Sequence, residues 1–134
     1  MDTTKILNNL VFNYGWRANS DFNLFGKLIN VTFILDSYDE NEIVNEKQEK
    51  CLKILEKEES TYSDTIITLV KQYINNNSIS INISNIENEL RLTSILITQD
   101  GDVIFLFEVT WDIENGLAIK VIPEFDIGPQ DVFL

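Results

Sequence analysis

The sequence has no histidine, one cysteine and fewer than half as many basic as acidic residues. Without histidine, the most common general base and the most common transition-metal ligand are missing. A lone thiol, Cys51, cannot form a disulfide within the chain. No stretch reaches the roughly 18 apolar residues that a membrane-spanning helix needs. The opening MDTTKILNNL has no basic region followed by a long apolar run. We therefore expect a cytoplasmic protein with no membrane contact, metal or cofactor.

The charge balance is strongly negative and unevenly distributed. The chain has 22 acidic and 10 basic residues, a net charge of −12. Residues 93–134 carry a net charge of −7, because Lys120 is their one base and their acids are Asp100, Asp102, Glu108, Asp112, Glu114, Glu124, Asp126 and Asp131. Such a field repels nucleic acid and anionic membranes and speeds the encounter with a basic protein. A role in solubility alone is the alternative.

Length and hydrophobic content predict one folded domain spanning residues 1–134. A chain of 134 residues is the size of one ordinary domain. Its hydrophobic share of 44% is spread along the whole length, which is typical of a globular core and not of an acidic disordered segment.

The middle of the chain has the periodicity of helices. From Ile43 to Leu55, apolar residues recur every three to four positions. After the interruption KEESTYSD, Ser60 or Thr61 can cap a second helix, whose apolar face ends near Ile74. This pattern predicts two helices in a helix–turn–helix pair, with one kinked helix as the alternative.

Strand patterns flank this helical region. FNLFGKLINVTFILD is rich in β-branched and aromatic residues and predicts a long strand or hairpin. RLTSILIT and VIFLFEVTW flank QDGD, and an Asp-Gly pair between apolar runs marks a hairpin. The second of these runs is almost continuously apolar, which predicts a central strand covered on both faces. The predicted fold is α+β, an antiparallel sheet with a β-meander in the C-terminal half and a helical pair packed on one face.

The stretch TWDIENGLAIKV, residues 110–121, is the main candidate site. We expect Asn115-Gly116 to form a reverse turn, and Asp112 to bond nearby backbone groups. The turn requires neither Trp111 nor Glu114. Catalysis by the two carboxylates and calcium binding are alternatives, but both need more ligands or partners than this spacing supplies. The favoured interpretation is an exposed acidic and aromatic patch for a basic partner. Its candidate binding residues are Trp111, Asp112, Glu114, Asn115, Asp100, Asp102, Asp126 and Asp131.

Several segments resemble an uncharacterised bacterial family of small acidic domains of unknown function, often encoded near polymorphic toxins. The most recognisable is the Trp-Asp-x-Glu-x-Gly-Leu motif from Trp111 to Leu117. EIVNEKQEKCLKILEKEE, with Gln48, and TLVKQY, ending at Tyr73, resemble the family's two helices. LTSILI resembles its entry to the sheet, and GPQDVFL is similar to its closing segment. The resemblance implies a cytoplasmic immunity-like or accessory domain, with no established catalytic residues.

The sequence therefore predicts a non-enzymatic acidic binding or inhibitor module that neutralises a basic toxin, such as a nuclease. One alternative is a phage-type nucleic-acid mimic that inhibits a host nuclease, as anti-CRISPR proteins do. The other is an enzyme acting through Asp112 and Glu114. The expected partner is a basic protein, and neither nucleic acid nor a membrane is expected to bind directly. The oligomeric state and the presence of a small-ligand pocket stay open.

Overall fold

A seven-stranded sheet with its strands side by side in chain order organises the computed structural model, which describes all 134 residues. Three α-helices accompany it: α1 (Thr3–Asn8), α2 (Glu46–Glu58) and α3 (Tyr62–Asn76). None of the helices has the length and apolar character needed to cross a bilayer. The strands are β1 (Val11–Phe12), β2 (Trp16–Leu24), β3 (Lys27–Leu35), β4 (Leu90–Ile97), β5 (Val103–Val109), β6 (Asp112–Ile122) and β7 (Asp126–Gly128).

One strand pair in the sheet is parallel. The pair is β3 and β4, in register from Thr32 opposite Ser94 to Leu35 opposite Ile97, and every other neighbouring pair is antiparallel. Parallel neighbours require a long crossover connection. Here residues 36–89, which contain α2 and α3, make that crossover. The ends of β3 and β4 consequently lie side by side at one end of the sheet.

The predicted architecture, an antiparallel sheet with a helical pair on one face, is wrong. The protein is α+β, but its sheet is mixed, and α2 and α3 join through the 3₁₀ turn Glu59–Thr61 into one long helical segment. The two helices do not pack side by side. No glycine or proline interrupts the junction, and Thr61 keeps helical dihedral angles where a cap would be extended. Its hydroxyl donates backwards to the carbonyl of Glu58, at 2.7 Å, so the predicted cap does not form.

The main core lies between the sheet and the helices. Phe22, Phe33 and Phe105 are fully buried there, and the Tyr62 ring of α3 meets Phe105 edge-on with centroids 5.7 Å apart. Strand β5 lies between β4 and β6 and is buried on both faces, which confirms the prediction for its apolar run. On the far face a small cluster, Ile104, Leu106 and Ala118, is covered by Phe133 of the C-terminal tail.

A single buried amide ties the start of α2 to the parallel strands. Gln48 is 1% exposed, and its Nε2 donates to the carbonyl oxygens of Asp36 at 2.9 Å and Ile97 at 3.2 Å. Its Oε1 accepts the backbone N–H of Asn45 at 3.1 Å, while the Asn45 side chain accepts the N–H of Gln48. This capping box begins the helix and satisfies every polar atom of the buried side chain.

Replacing the buried amide tests its contribution to stability. We expect Gln48→Leu to lower the free energy of unfolding by about 2–3 kcal/mol, because it removes three hydrogen bonds and leaves buried backbone groups short of partners. Gln72→Leu, at an exposed position of α3, is the matched control and should change it by less than about 0.5 kcal/mol. Urea denaturation of both variants measures the difference. Equal losses would show that the amide is not structural.

Stability should also depend on pH through Tyr62. Burial, and then the nearby Glu58 carboxylate, raises the pKa of the Tyr62 phenol. The unfolded chain ionises this tyrosine near pH 10 while the folded chain holds its proton, so the free energy of unfolding should fall as the pH rises above about 10. Tyr62→Phe should flatten this alkaline decline in urea titrations, and Tyr38→Phe, at an exposed tyrosine, should leave it unchanged.

Candidate functional site

The stretch TWDIENG reverses the chain earlier than predicted. Val109 pairs with Asp112, so the two-residue turn of the β5–β6 hairpin is Thr110-Trp111. Asn115-Gly116 lies inside β6 and does not form the predicted reverse turn. The Asp100-Gly101 turn, in contrast, forms as predicted: Gly101 has a φ of +90° and the N–H of Thr98 donates to the carbonyl of Asp102 at 2.9 Å.

Residues 113–116 form a bulge, because the next pair after Val109 and Asp112 joins Phe107 to Leu117. The Asp112 carboxylate accepts the backbone N–H of Asn115 at 3.1 Å, which closes the bulge. Gly116 has a φ of +60°, and a Cβ there would come within 2.7 Å of both the Phe107 carbonyl oxygen and Gln130 Nε2. Gln130 of the C-terminal tail donates to that same carbonyl at 2.9 Å. The glycine therefore permits a close approach, not a turn.

The two halves of the motif have different surroundings. Trp111 and Asp112 are half-buried, and Trp111 packs against the main core. Burial, and then the charge of Asp112, raises the pKa of Tyr73 on α3, which places this carboxylate beside the helix. Ile113 is 87% exposed, and Glu114 and Asn115 are also exposed. This second half is the more accessible to a partner.

The structure does not bring the eight predicted binding residues together. Trp111, Asp112, Glu114 and Asn115 lie beyond the C-terminal end of β5, whereas Asp100 and Asp102 precede its N-terminal end. A seven-residue strand separates these groups by about 20 Å. Asp126, opposite Lys120, is on the side of Asp100, and Asp131 is on the C-terminal tail. Binding by each of these residues stays a prediction.

A larger acidic surface forms where four connections meet. The starts of β2 and β5 and the ends of β3, β4 and β6 share one end of the sheet. Residues 13–15, 36–46, 98–102 and 123–126 meet there and contain no lysine or arginine. We call this surface the acidic end; its carboxylates belong to Asp36, Asp39, Glu40, Glu42, Glu46, Asp100, Asp102, Glu124 and Asp126.

Hydrogen bonds hold the loop of residues 36–45 against the neighbouring turn. The indole N–H of Trp16 donates to the carbonyl of Glu42 at 2.7 Å, and the side chain of Gln99 donates to the carboxylate of Glu42 at 2.8 Å. Asn45 Nδ2 donates to the carbonyl of Gln99 at 3.0 Å. The loop is thus fixed relative to Asp100, although the two are far apart in the sequence.

No ion pair forms at the acidic end, although lysines border it: the Lys47 side chain lies against Gly101, and Lys120 is opposite Asp126. The structure has two ion pairs, Met1 amino group to Glu59 and Arg91 to Glu108, each at 2.9 Å, and both are elsewhere. Arg17 instead donates to the carbonyl of Asn13 at 2.6 Å. The carboxylates of the acidic end therefore outnumber the cations beside them and form no ion pair with them.

Few other groups in the structure are arranged to bind a metal or to react. No three acidic or thiol side chains lie close enough to hold a metal ion. A concavity of about 560 Å³ contains the exposed Arg91–Glu108 pair and Ile113, but Asp112 and Glu114 do not line it. Cys51 is buried with its Sγ 3.3 Å from the carbonyl oxygen of Gly101, and burial raises the pKa of the thiol. This thiol is not a poised nucleophile.

Comparison with protein families gives one match. The model of a domain of unknown function, DUF6985, matches residues 6–134. The chain belongs to this family. No curated protein and no solved structure matches it. The expected membership of an uncharacterised domain family is therefore confirmed, and in this DUF6985 domain the match covers every strand, α2 and α3.

The part of the DUF6985 surface that sequence reasoning missed is the loop 36–45. Its SYDENE stretch has the composition of an ordinary turn, because acidic residues are common in loops. The sequence signal that could have revealed this surface is its density of acidic residues: residues 36–46 contain five and no lysine or arginine. Nothing in the sequence placed that segment beside Asp100 and Asp102.

Two glycines test the close approach at the bulge. We expect Gly116→Ala to lower the free energy of unfolding by about 2–4 kcal/mol, because it strains a positive φ and forces the Phe107 carbonyl or Gln130 to move. Gly26 also has a positive φ, +73°, but a Cβ there would meet nothing within 4 Å. We therefore expect Gly26→Ala to lower the free energy of unfolding by only about 1 kcal/mol. Thermal and urea unfolding compare them. A Gly116 variant no less stable than the Gly26 variant would contradict the packing argument.

Proposed function

We propose that this DUF6985 domain is a non-enzymatic binding module that recognises a basic protein surface through its acidic end. The observation that carries the proposal is the concentration of nine carboxylates on three of four adjoining segments, which contain no lysine or arginine and make no ion pair. A protein surface that is predominantly of one sign and makes no internal ion pair is suited to a partner of the opposite sign.

Such a surface mainly increases the association rate and the specificity of binding. Complementary fields accelerate encounter and reject partners of the same sign, and ordinary salt screens this effect over about 8–10 Å. The loop 36–45 is already hydrogen-bonded to Trp16 and Gln99, so binding does not have to order it. Preorganisation of this kind lowers the entropic cost of association.

A basic toxin, such as a nuclease, is the partner class that we favour. Proteins that bind nucleic acid neutralise phosphates with lysine and arginine, so their clefts are basic. An acidic module of this size that occupies such a cleft excludes the substrate. This proposal agrees with the immunity-like role that the resemblance implies, and it places the domain in the cytoplasm with the enzyme that it restrains.

Two variants with the same net charge test which surface binds. Both change the net charge from −12 to −8. None of the eight carboxylates that they replace accepts a hydrogen bond. The first variant neutralises the acidic end through Asp36→Asn, Glu40→Gln, Asp100→Asn and Glu124→Gln. The second neutralises exposed carboxylates elsewhere through Asp21→Asn, Asp64→Asn, Glu114→Gln and Asp131→Asn.

The partner to use is the protein encoded by the neighbouring gene, purified with the domain and titrated over a salt series. We expect the first variant to bind about tenfold more weakly and to show a shallower salt dependence, and the second to bind within about twofold of the unaltered domain. Equal weakening of both variants would assign the effect to net charge and not to the acidic end. Binding that ignores ionic strength, or a neighbouring protein that does not bind, would contradict the proposal.

A further inference from the structure

One corner of the acidic end is a cleft with aromatic walls. It is an open depression of about 620 Å³ between the β1–β2 turn and the loop that follows β3. We call it the aromatic cleft; it is lined by Phe12, Tyr14, Ser37, Tyr38, Asp39 and Glu40. A space of this size accommodates a side chain or small molecule.

The two tyrosines of the cleft are not explained by packing. Tyr14 is 91% exposed and Tyr38 is 85% exposed, so neither contributes to the core. Tyr14 also has a φ of +53°, a left-handed conformation that disfavours a bulky side chain and suits glycine. An exposed aromatic residue at such a position stabilises the fold less than glycine would. Contact with another molecule would account for a tyrosine at this position.

The frame that carries the two tyrosines is held in place. Ser37 donates to the carbonyl of Asp39 at 2.9 Å, and the N–H of Asn41 donates to the Asp39 carboxylate at 2.7 Å. On the opposite wall, Phe12 packs edge-on against Trp16 with centroids 5.3 Å apart. The frame is therefore ordered before a ligand arrives, and the exposed tyrosine rings are free to turn onto it.

The cleft combines aromatic faces with carboxylates and has no cation of its own. None of the six lining residues is basic. Arg17, the nearest arginine in the sequence, follows Trp16 on β2, so its side chain points to the opposite face of the sheet, where it bonds the carbonyl of Asn13. Aromatic faces attract cations, and a guanidinium group stacks on them while its N–H groups bond a carboxylate.

We propose that the aromatic cleft binds an arginine side chain of the basic partner, stacked against Tyr14 and Tyr38 and hydrogen-bonded to Asp39 or Glu40. This inference rests on the proposed function and specifies its anchor. Arginine is favoured over lysine because its planar guanidinium matches both flat ring and carboxylate, whereas an ammonium group is more strongly hydrated. Arginine is also common among the residues that dominate binding at protein interfaces.

Three capped tripeptides test the chemistry without the partner. Acetyl-Gly-Arg-Gly-amide, its Lys counterpart and its Gln counterpart are titrated into the isotopically labelled domain at low salt, and amide shifts around Tyr14 and Tyr38 are followed by NMR. We expect the Arg peptide to bind about two to five times more tightly than the Lys peptide, and the Gln peptide to cause no saturable shift. Equal shifts for the Arg and Gln peptides would overturn the assignment.

Charge-preserving variants separate stacking from the general field. Tyr14→Gly and Tyr38→Ala should each weaken the Arg peptide about two- to fivefold, and together about tenfold, while the net charge stays at −12. Ile113→Ala, an exposed apolar residue at the opposite end of the sheet, should have no effect. Tyr14→Gly should leave the melting temperature unchanged or raise it, so its loss of binding cannot be attributed to unfolding.

The peptide experiment and the partner experiment test the two proposals separately. If the tyrosine variants bind the Arg peptide as tightly as the unaltered domain, the aromatic cleft is not the anchor, even if neutralising the acidic end weakens the partner. If the cleft binds the Arg peptide but the neighbouring protein does not bind at all, the proposed function fails and the arginine site stands.

Discussion

The amide of Gln48 joins three parts of the chain that are separate in the sequence. It bonds the carbonyls of Asp36 and Ile97, at the ends of two parallel strands, and the N–H of Asn45, where α2 begins. Since loop 36–45 runs between two of these points, its path over the sheet end depends on that buried group. A buried polar side chain is costly unless fully bonded, so this arrangement tolerates few alternatives. The glutamine thus sets where the acidic loop lies, although it is itself inaccessible.

Placing many carboxylates at one end of a sheet has a cost as well as a use. Like charges repel and lower the stability of the compact state, and here no ion pair offsets them. The fold resists this repulsion through neutral hydrogen bonds, in which the indole of Trp16 and the side chains of Asn45 and Gln99 hold the loop. Since these bonds lack formal charge at their donors, they leave the outward negative potential intact. This arrangement, in which uncharged donors hold the loop while the carboxylates stay charged, suits the proposed binding role.

The motif that is most recognisable in the sequence serves the structure more than a ligand. Trp111 packs against the core, Asp112 closes the bulge, and Gly116 allows the tail to approach the Phe107 carbonyl. These contacts account for Trp111, Asp112 and Gly116, whereas Glu114 is exposed and has no structural partner. The aromatic cleft is the contrasting case: Tyr14 and Tyr38 meet no packing requirement and belong to no conspicuous motif. The surface that we propose for binding therefore lies outside the prominent motif.

Local patterns determined the two strands that flank the Asp100-Gly101 turn, the buried character of β5, that turn itself and the net charge, because each depends on neighbouring residues or on simple composition. The tertiary structure alone decided the rest. Helical dihedral angles at Thr61 made one helical segment out of two predicted helices, and the parallel pairing of β3 with β4 placed residues 36–46 beside 98–102. That pairing joins segments about sixty residues apart, and no local preference specifies which connections share an end of a sheet. Proximity of the carboxylates is a consequence of strand order, whereas their number is a property of the sequence.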